Sequence, residues 1–194
     1  MTRHHDRRRF AGAAGRPIDA GFTMVELVTV IVVMGILGAI GASRFFDGDI
    51  FAGRAYSDRA KSIIRSAQKL AIAQNRLVFV RFTPTNFAVC FNAACNNAAA
   101  LAFAPGGSNS GSTATRAACV LGGNYIASWM CEGTPPNVAV TGVGSGGLFF
   151  DRMGRPYNTN DVDGASTFQP LTLTVTSGAS VYQFTVEAET GYVR

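Results

Sequence analysis

The chain has 194 residues, 47% of them hydrophobic, and a formal net charge of +5 at neutral pH, so a single domain of modest size is the first expectation. Its two histidines stand at positions 4 and 5, and residues 6–194 contain none. This distribution excludes Ser-His, Cys-His and histidine-ligated metal chemistry from the rest of the chain. We therefore expect no enzyme activity, no metal site and no cofactor.

The first 42 residues fall into two contrasting parts. Residues 1–21 are basic and lack apolar periodicity, whereas residues 22–42 are apolar apart from a single charged residue, Glu26. A helix over the second part rises about 31 Å, enough to cross the hydrocarbon core of a bilayer. By the positive-inside rule, the basic residues of 1–21 favour the cytoplasmic side of the membrane, which places the part of the chain after the apolar run on the opposite side. An ordinary secretory signal cut near residues 39–42 is the alternative, but the apolar run is longer than such signals have.

Glu26 is the unusual residue of the apolar run. A carboxylate there costs about 2.5–3.5 kcal/mol near the bilayer centre and less towards the interface, so an intramembrane carboxylate indicates a function. Cleavage between Gly21 and Phe22 would create an α-amine four residues before Glu26, on the same side of a helix. That amine can pair with the carboxylate of its own chain or of a neighbouring copy. The second pairing gives a reason for self-assembly in lipid.

Residues 21–27 read GFTMVEL and precede an apolar helix, a pattern that resembles the class III signal of type IV prepilins and type II secretion pseudopilins. The resemblance implies that residues 1–21 are a leader, that prepilin peptidase cuts between Gly21 and Phe22, and that the new amine is methylated. It assigns Glu26 to assembly with other pilin subunits at an inner-membrane assembly platform. The subunit would be a single-pass inner-membrane protein with a periplasmic domain, and then part of an extracellular pilus or a periplasmic pseudopilus.

A second helical pattern follows the apolar run. Residues 43–53 include poor helix formers, so a weakened or kinked segment is expected there. From Arg54 onwards, apolar residues recur at three- and four-residue steps, with basic residues at other positions, which predicts an amphipathic helix. We expect a long helical region over 22–76, with its membrane or assembly segment at 22–42. Its basic face predicts a solvated or filament-facing surface; nucleic-acid contact is the alternative, disfavoured because no aromatic residues are interleaved.

Strand-like patterns dominate the remainder of the chain, at 77–82, 87–91, 148–151, 171–176, 182–186 and 192–194. The first two segments flank a turn at 83–86 and predict a hairpin. The alternating segments on either side of 177–180 predict a second hairpin. The predicted fold class is α+β, with a long N-terminal α-helix packed on an antiparallel β-rich C-terminal domain over 77–194.

The cysteines of the chain all follow the apolar run: Cys90, Cys95, Cys119 and Cys131. An even number outside the cytoplasm indicates two disulfides with three possible connectivities, of which pairing between sequence neighbours is the one we consider first. The lack of a C-x-x-C knuckle argues against zinc. Trp129 is expected to pack against a disulfide. The surrounding residues 92–147 have no regular pattern, and their role stays open.

Two later motifs narrow the resemblance. Residues 150–156 contain Phe-Asp-x-x-Gly-Arg-Pro, and residues 190–194 read TGYVR; both are similar to the pseudopilin H group and its minor pilins, most of all to the C-type minor subunits of mannose-sensitive haemagglutinin (MSHA) pili. The implied function is a minor type IV pilin. A type II secretion minor pseudopilin and a tip subunit that binds DNA or a surface ligand are the alternatives. The polar turn at 158–164 does not match a calcium-binding EF-hand loop, because Pro170 stands where a bidentate Glu is required.

Overall fold

The computed structural model describes residues 22–45, 48–144 and 146–194, with only the helical assignment given for residues 40–45 and 48–50. The chain divides into two compact units, Met1–Phe46 and Asp47–Arg194. The leader expected at 1–21 lies outside the described residues. The weakened segment expected at 43–53 also falls partly outside them, at residues 46 and 47.

The first unit contains helix α1 (Met24–Phe45). Its large apolar side chains are exposed on all sides, from Phe22 and Met24 at the start to Leu37 near the end of the described side chains. A helix that is apolar all round is ordinarily covered by lipid or by protein. Among the described residues, no helix has both the length and the hydropathy that a membrane span requires. The membrane segment expected over 22–42 stays a prediction.

The second unit begins with helix α2 (Gly48–Gln74). Its buried side chains recur at three- and four-residue steps, at Tyr56, Ala60, Ile63, Ile64, Ala67 and Ala71. Several of them are alanines, so the helix approaches the strands closely. The helix ends in a Schellman motif, because Asn75 adopts a left-handed φ of 50° and the N–H of Arg76 donates to the carbonyl of Ala71 at 3.2 Å.

The strands of this unit form three antiparallel sheets. The five-stranded sheet has the order β5-β2-β1-β7-β8, the three-stranded sheet β10-β9-β6, and β3 pairs with β4. Their bounds are β1 (Val78–Thr83), β2 (Asn86–Cys90), β3 (Val120–Leu121), β4 (Asn124–Tyr125), β5 (Cys131–Gly133), β6 (Val138–Thr141), β7 (Gly147–Phe150), β8 (Pro156–Asn158), β9 (Leu171–Ser177) and β10 (Ser180–Val186).

Both predicted hairpins form, β1 with β2 and β9 with β10. The alternation in β9 places Leu173 and Val175 in the core beneath α2, where Leu173 lies opposite Phe184 of β10 and Val175 lies opposite Tyr182. The α+β class predicted from the sequence is confirmed, with a helix packed on antiparallel sheets. The last predicted strand, 192–194, pairs antiparallel with the end of β10. Val193 bridges Val186, Thr185 and Arg194 exchange two backbone hydrogen bonds of 3.0 Å, and the Glu187 N–H donates to the Tyr192 carbonyl at 2.9 Å.

The region 92–147 is more ordered than its sequence indicates. It contains a 3₁₀ turn (Ala98–Ala100) and helix α3 (Thr113–Ala118), capped by the Ser112 hydroxyl, which accepts the N–H of Thr115 at 3.1 Å. Disulfides join Cys90 to Cys95 and Cys119 to Cys131, the local pairing considered first. Trp129 belongs to the same buried cluster as both bridges and donates its indole N–H to the Val89 carbonyl at 2.9 Å. This small second core organises the irregular region.

Candidate assembly site

The first turn of α1 is held by the residues around Glu26. The Thr23 hydroxyl accepts the backbone N–H of Glu26 at 3.2 Å, and the Thr29 hydroxyl donates to the Glu26 carbonyl at 2.9 Å. The spacing Thr-x-x-Glu is that of a helix capping box, and a carboxylate in the first turn also interacts favourably with the helix dipole. Thr23 was missed as a cap in the sequence, although the capping-box spacing could have identified it.

Phe22 and Glu26 lie on the exposed start of this helix. Phe22 is 81% exposed, and Glu26 is exposed as well. Within the described residues, Glu26 forms no ion pair. Gly21 lies outside the described residues, so the structure describes only Phe22 of the two residues at the expected cleavage site. The arrangement offers a carboxylate without an ion pair among the described residues, in the first turn of a helix that begins two residues after Phe22, where a cleaved chain would carry its α-amine.

Several basic residues in and just after α2 contact the β-rich part of the unit. The Arg65 guanidinium donates from Nη2 and Nε to the Val193 carbonyl, at 2.7 and 3.2 Å. Lys61 lies 5.9 Å from the centre of the Phe184 ring, and Arg76 lies 3.9 Å from that of Phe91. These contacts tie the basic side chains to the β-rich part of the unit. Most basic residues of this face remain exposed, so the prediction of a solvated or filament-facing surface stands, with some of its cations also bound to the β-rich part.

The two motifs near the end of the chain converge on one side chain of α2. Gln68 Nε2 donates to the carbonyl of Gly154, at 2.8 Å, and to that of Thr190, at 2.6 Å. A methyl group at Gly191 would lie 2.7 Å from Gln68 Nε2 and from the Gly154 carbonyl oxygen, so only glycine fits between the motifs. Arg65 holds the same tail one turn earlier. The motifs thus act as a clamp that fixes the C-terminal tail to α2.

The first motif is built around a buried carboxylate. Asp151 is 3% exposed and accepts the backbone N–H groups of Met153, at 2.8 Å, and Arg155, at 2.9 Å, and the Arg155 Nε at 3.0 Å. Burial acts to raise the pKa of Asp151, but these hydrogen bonds and the Arg155 charge outweigh it and hold the pKa below its ordinary value. The turn also requires a left-handed residue, which Gly154 provides with a φ of +81°.

The two carboxylates of the polar turn at 158–164 already have hydrogen-bond or ion-pair partners within the chain. Asp161 accepts the N–H groups of Asn158 and Thr167 and the Thr167 hydroxyl, and the hydroxyl bond is the main reason that the pKa of Asp161 lies below its ordinary value. Asp163 pairs with Arg152 at 2.6 Å. Over the described residues, no cluster of His, Cys, Asp or Glu has the composition of a metal site.

Comparisons with known proteins bear on these features. No family model matches the chain. The narrow pilus major component PilA5 of Thermus thermophilus, a type IV pilin, is 44% identical over 54 residues, which are 28% of this chain and 47% of that protein. The chain thus spans about half the length of this curated relative. A crystal structure of the type IV minor pilin FimU of Pseudomonas aeruginosa aligns with 73% of this chain and 85% of its own, with a TM-score of 0.43 and 8% identity.

The relative with 44% identity is a type IV pilin. The heptapeptide at 21–27 and the arrangement of a helix on antiparallel sheets agree with that match. Over those 54 residues the chain is similar to a type IV pilin, and its fold is of the α+β class, with a helix packed on antiparallel sheets.

Proposed function

We propose that the chain is a minor type IV pilin of the MSHA-like type, which is cut between Gly21 and Phe22 and then built into a pilus. The single observation that carries the proposal is α1: a helix with apolar side chains exposed on all sides and one unpaired carboxylate, Glu26, in its capped first turn. Before assembly, the apolar segment 22–42 holds the subunit in the inner membrane. Its role is structural rather than catalytic.

The mechanism is charge pairing during assembly. After cleavage, the Phe22 amine carries a positive charge, which methylation preserves. Glu26 of one subunit and the Phe22 amine of a neighbour neutralise each other, and this lowers the cost of placing either charge in an apolar surrounding. The contact therefore favours the transfer of the subunit from lipid into the filament. The relative PilA5 is named as a pilus component, which supports a pilus over a secretion pseudopilus.

The test is the incorporation of a Glu26→Ala variant into filaments. We expect membrane insertion and leader cleavage close to those of the wild-type chain, because neither needs a second subunit, and a strong loss of the variant from sheared filaments. A Thr29→Ala variant is the matched control, since it removes a hydroxyl one turn away and leaves the charge in place. Normal incorporation of Glu26→Ala would refute the charge-pairing mechanism.

A further inference from the structure

The two disulfides of the chain differ in their access to solvent. Cys119 and Cys131 are 0% and 1% exposed, so the bridge between them is shielded on both sides. Cys90 is 0% exposed as well, but its partner Cys95 is 8% exposed. Thiol–disulfide exchange begins when a thiolate contacts one of the two sulfurs, so access decides which sulfur is attacked. Cys95 is therefore the residue at which a thiol can best reach a bridge of the folded chain.

A cavity of about 260 Å³ lies against Cys95, and none of the other three cysteines contributes to its lining. Arg81 is the one charged residue among the described residues that line it. The Nη1 of Arg81 donates to the carbonyl of Ala94, the residue before Cys95, at 3.1 Å. A guanidinium at this place favours the thiolate form of an incoming thiol, which is the form that attacks a disulfide. Cys131 lines a separate and much smaller cavity, of about 60 Å³.

The loop that contains Cys95 can open without disturbing the sheet beneath it. Residues 93, 94 and 96–99 are exposed, and the Phe91 N–H joins the two ends of the loop by donating to the Ala100 carbonyl at 2.6 Å. Within the loop, the Cys95 N–H donates to Asn92 Oδ1 at 2.7 Å. Exposed segments with few buried contacts open at a lower free energy than the fold as a whole. Opening of residues 92–99 should expose the bridge to Cys90 while β1 and β2 stay paired.

The second bridge is held by packed elements on both sides. It joins the C-cap of α3, Cys119, to Cys131 at the start of β5. The Thr115 hydroxyl of α3 donates to Glu132 Oε1 at 2.8 Å and accepts the Gly133 N–H at 3.1 Å, so α3 is fixed directly to β5. Exposure of this bridge requires α3 to detach from the strand, which costs more free energy than opening a surface loop.

We propose that Cys90–Cys95 is a reversible thiol–disulfide exchange site of the folded chain, at which a dithiol reductant attacks Cys95 while Cys119–Cys131 stays oxidised. A thiolate of the dithiol bonds to Cys95 Sγ, the Cys90–Cys95 bond breaks, and its electron pair goes to Cys90 Sγ, which takes up a proton. The second thiol of the reagent then loses its proton and attacks the reagent sulfur of the mixed disulfide, so that Cys95 leaves and takes up a proton. The two cysteines gain two electrons and two protons, and the dithiol becomes a disulfide. This chemistry belongs to the second unit alone and does not depend on the proposed function.

The first test is native reduction of the full chain in detergent with dithiothreitol, followed by acid quenching, alkylation of the free thiols and peptide mapping by mass spectrometry. We expect Cys90 and Cys95 to become alkylated at least about tenfold faster than Cys119 and Cys131, as a modest difference between the two opening equilibria produces. The control is the same reaction in urea, where both bridges are accessible and the ratio should shrink. Equal rates in the folded chain, faster loss of Cys119–Cys131, or a ratio that persists in urea would overturn the proposal.

The second test identifies the attacked sulfur with two matched variants, Cys90→Ser and Cys95→Ser. Each lacks the same bridge and keeps one free thiol, at Cys95 in the first variant and at Cys90 in the second. Because Cys95 lines the cavity and Cys90 is fully buried, we expect N-ethylmaleimide to modify the Cys95 thiol at least about tenfold faster than the Cys90 thiol under native conditions. Equal rates, or a faster reaction at Cys90, would contradict attack at Cys95.

Discussion

Gln68 offers the sharpest test of how the two C-terminal motifs are held. Its amide donates to the carbonyls of Gly154 and Thr190 at 2.8 and 2.6 Å, and so joins both motifs to α2. A Gln68→Ala substitution removes both hydrogen bonds and leaves two carbonyls without this donor. The helix itself should not suffer, because alanine has the higher helix propensity.

The expected loss of stability follows from those two bonds. A hydrogen bond in a folded protein contributes about 0.5–1.5 kcal/mol net, so the pair should contribute about 1–3 kcal/mol. For a domain of this size, 1 kcal/mol corresponds to a shift of about 2–4 °C in the thermal midpoint. We expect the midpoint of Gln68→Ala to fall by about 4–8 °C, the middle of the range that these two estimates span.

Thermal unfolding of the full chain in detergent, followed by circular dichroism, measures this shift. Gln74→Ala is the matched control, because Gln74 is an exposed glutamine of the same helix whose side chain has no hydrogen bond in the described part of the chain. The control should unfold within about 1 °C of the wild type. A Gln68→Ala midpoint equal to that of the control would show that the clamp contributes nothing to stability.

Three further predictions concern other parts of the second unit. Gly53→Ala should lower the thermal midpoint despite its better helix propensity, because a methyl group there would overlap the Ser177 Cβ; a rise would contradict the close packing. Removing the Cys119–Cys131 disulfide, which spans 12 residues, should lower the free energy of unfolding in urea by roughly 3 kcal/mol, whereas removing Cys90–Cys95, which spans five, should lower it by roughly 2 kcal/mol. The pKa of Asp151 is lower in the folded chain than its unfolded value of 3.8, so the carboxylate stabilises the fold above that pH, and this stabilisation is lost as the pH falls through the folded pKa. Asp151→Asn should therefore make the free energy of unfolding less dependent on pH below about pH 4. An unchanged pH dependence would contradict the role assigned to Asp151.

The sequence was informative where one physical pattern dominates. The alternation of Leu171, Leu173 and Val175 predicted both a hairpin and the face that it buries, and the three- and four-residue steps of α2 predicted its core face. These patterns follow from burial against one neighbour, so they can be identified locally. The assembly role of Glu26 rests on a similarly local pattern, a lone carboxylate in an apolar run, and stays a prediction.

Contacts between distant segments could not be predicted in the same way. The basic residues of α2 predicted a solvated face, but no local pattern could show that Arg65 also binds the carbonyl of Val193, 128 positions along the chain. The order within 92–147 depends on two disulfides and the packing of Trp129, which no local period encodes. The burial of Glu132 could not be predicted from the sequence either, because it arises only when β5 lies beside α2 and the segment that contains Ser110.

The mass of the chain recovered from sheared filaments tests the central claim most directly, since it measures processing and incorporation together. We predict a chain that begins at Phe22, heavier by one methyl group than the unmodified sequence from that residue and with both disulfides formed. A chain that retains residues 1–21, a chain that begins after residue 42, or the absence of this chain from the filaments would contradict the assignment as a processed pilin subunit.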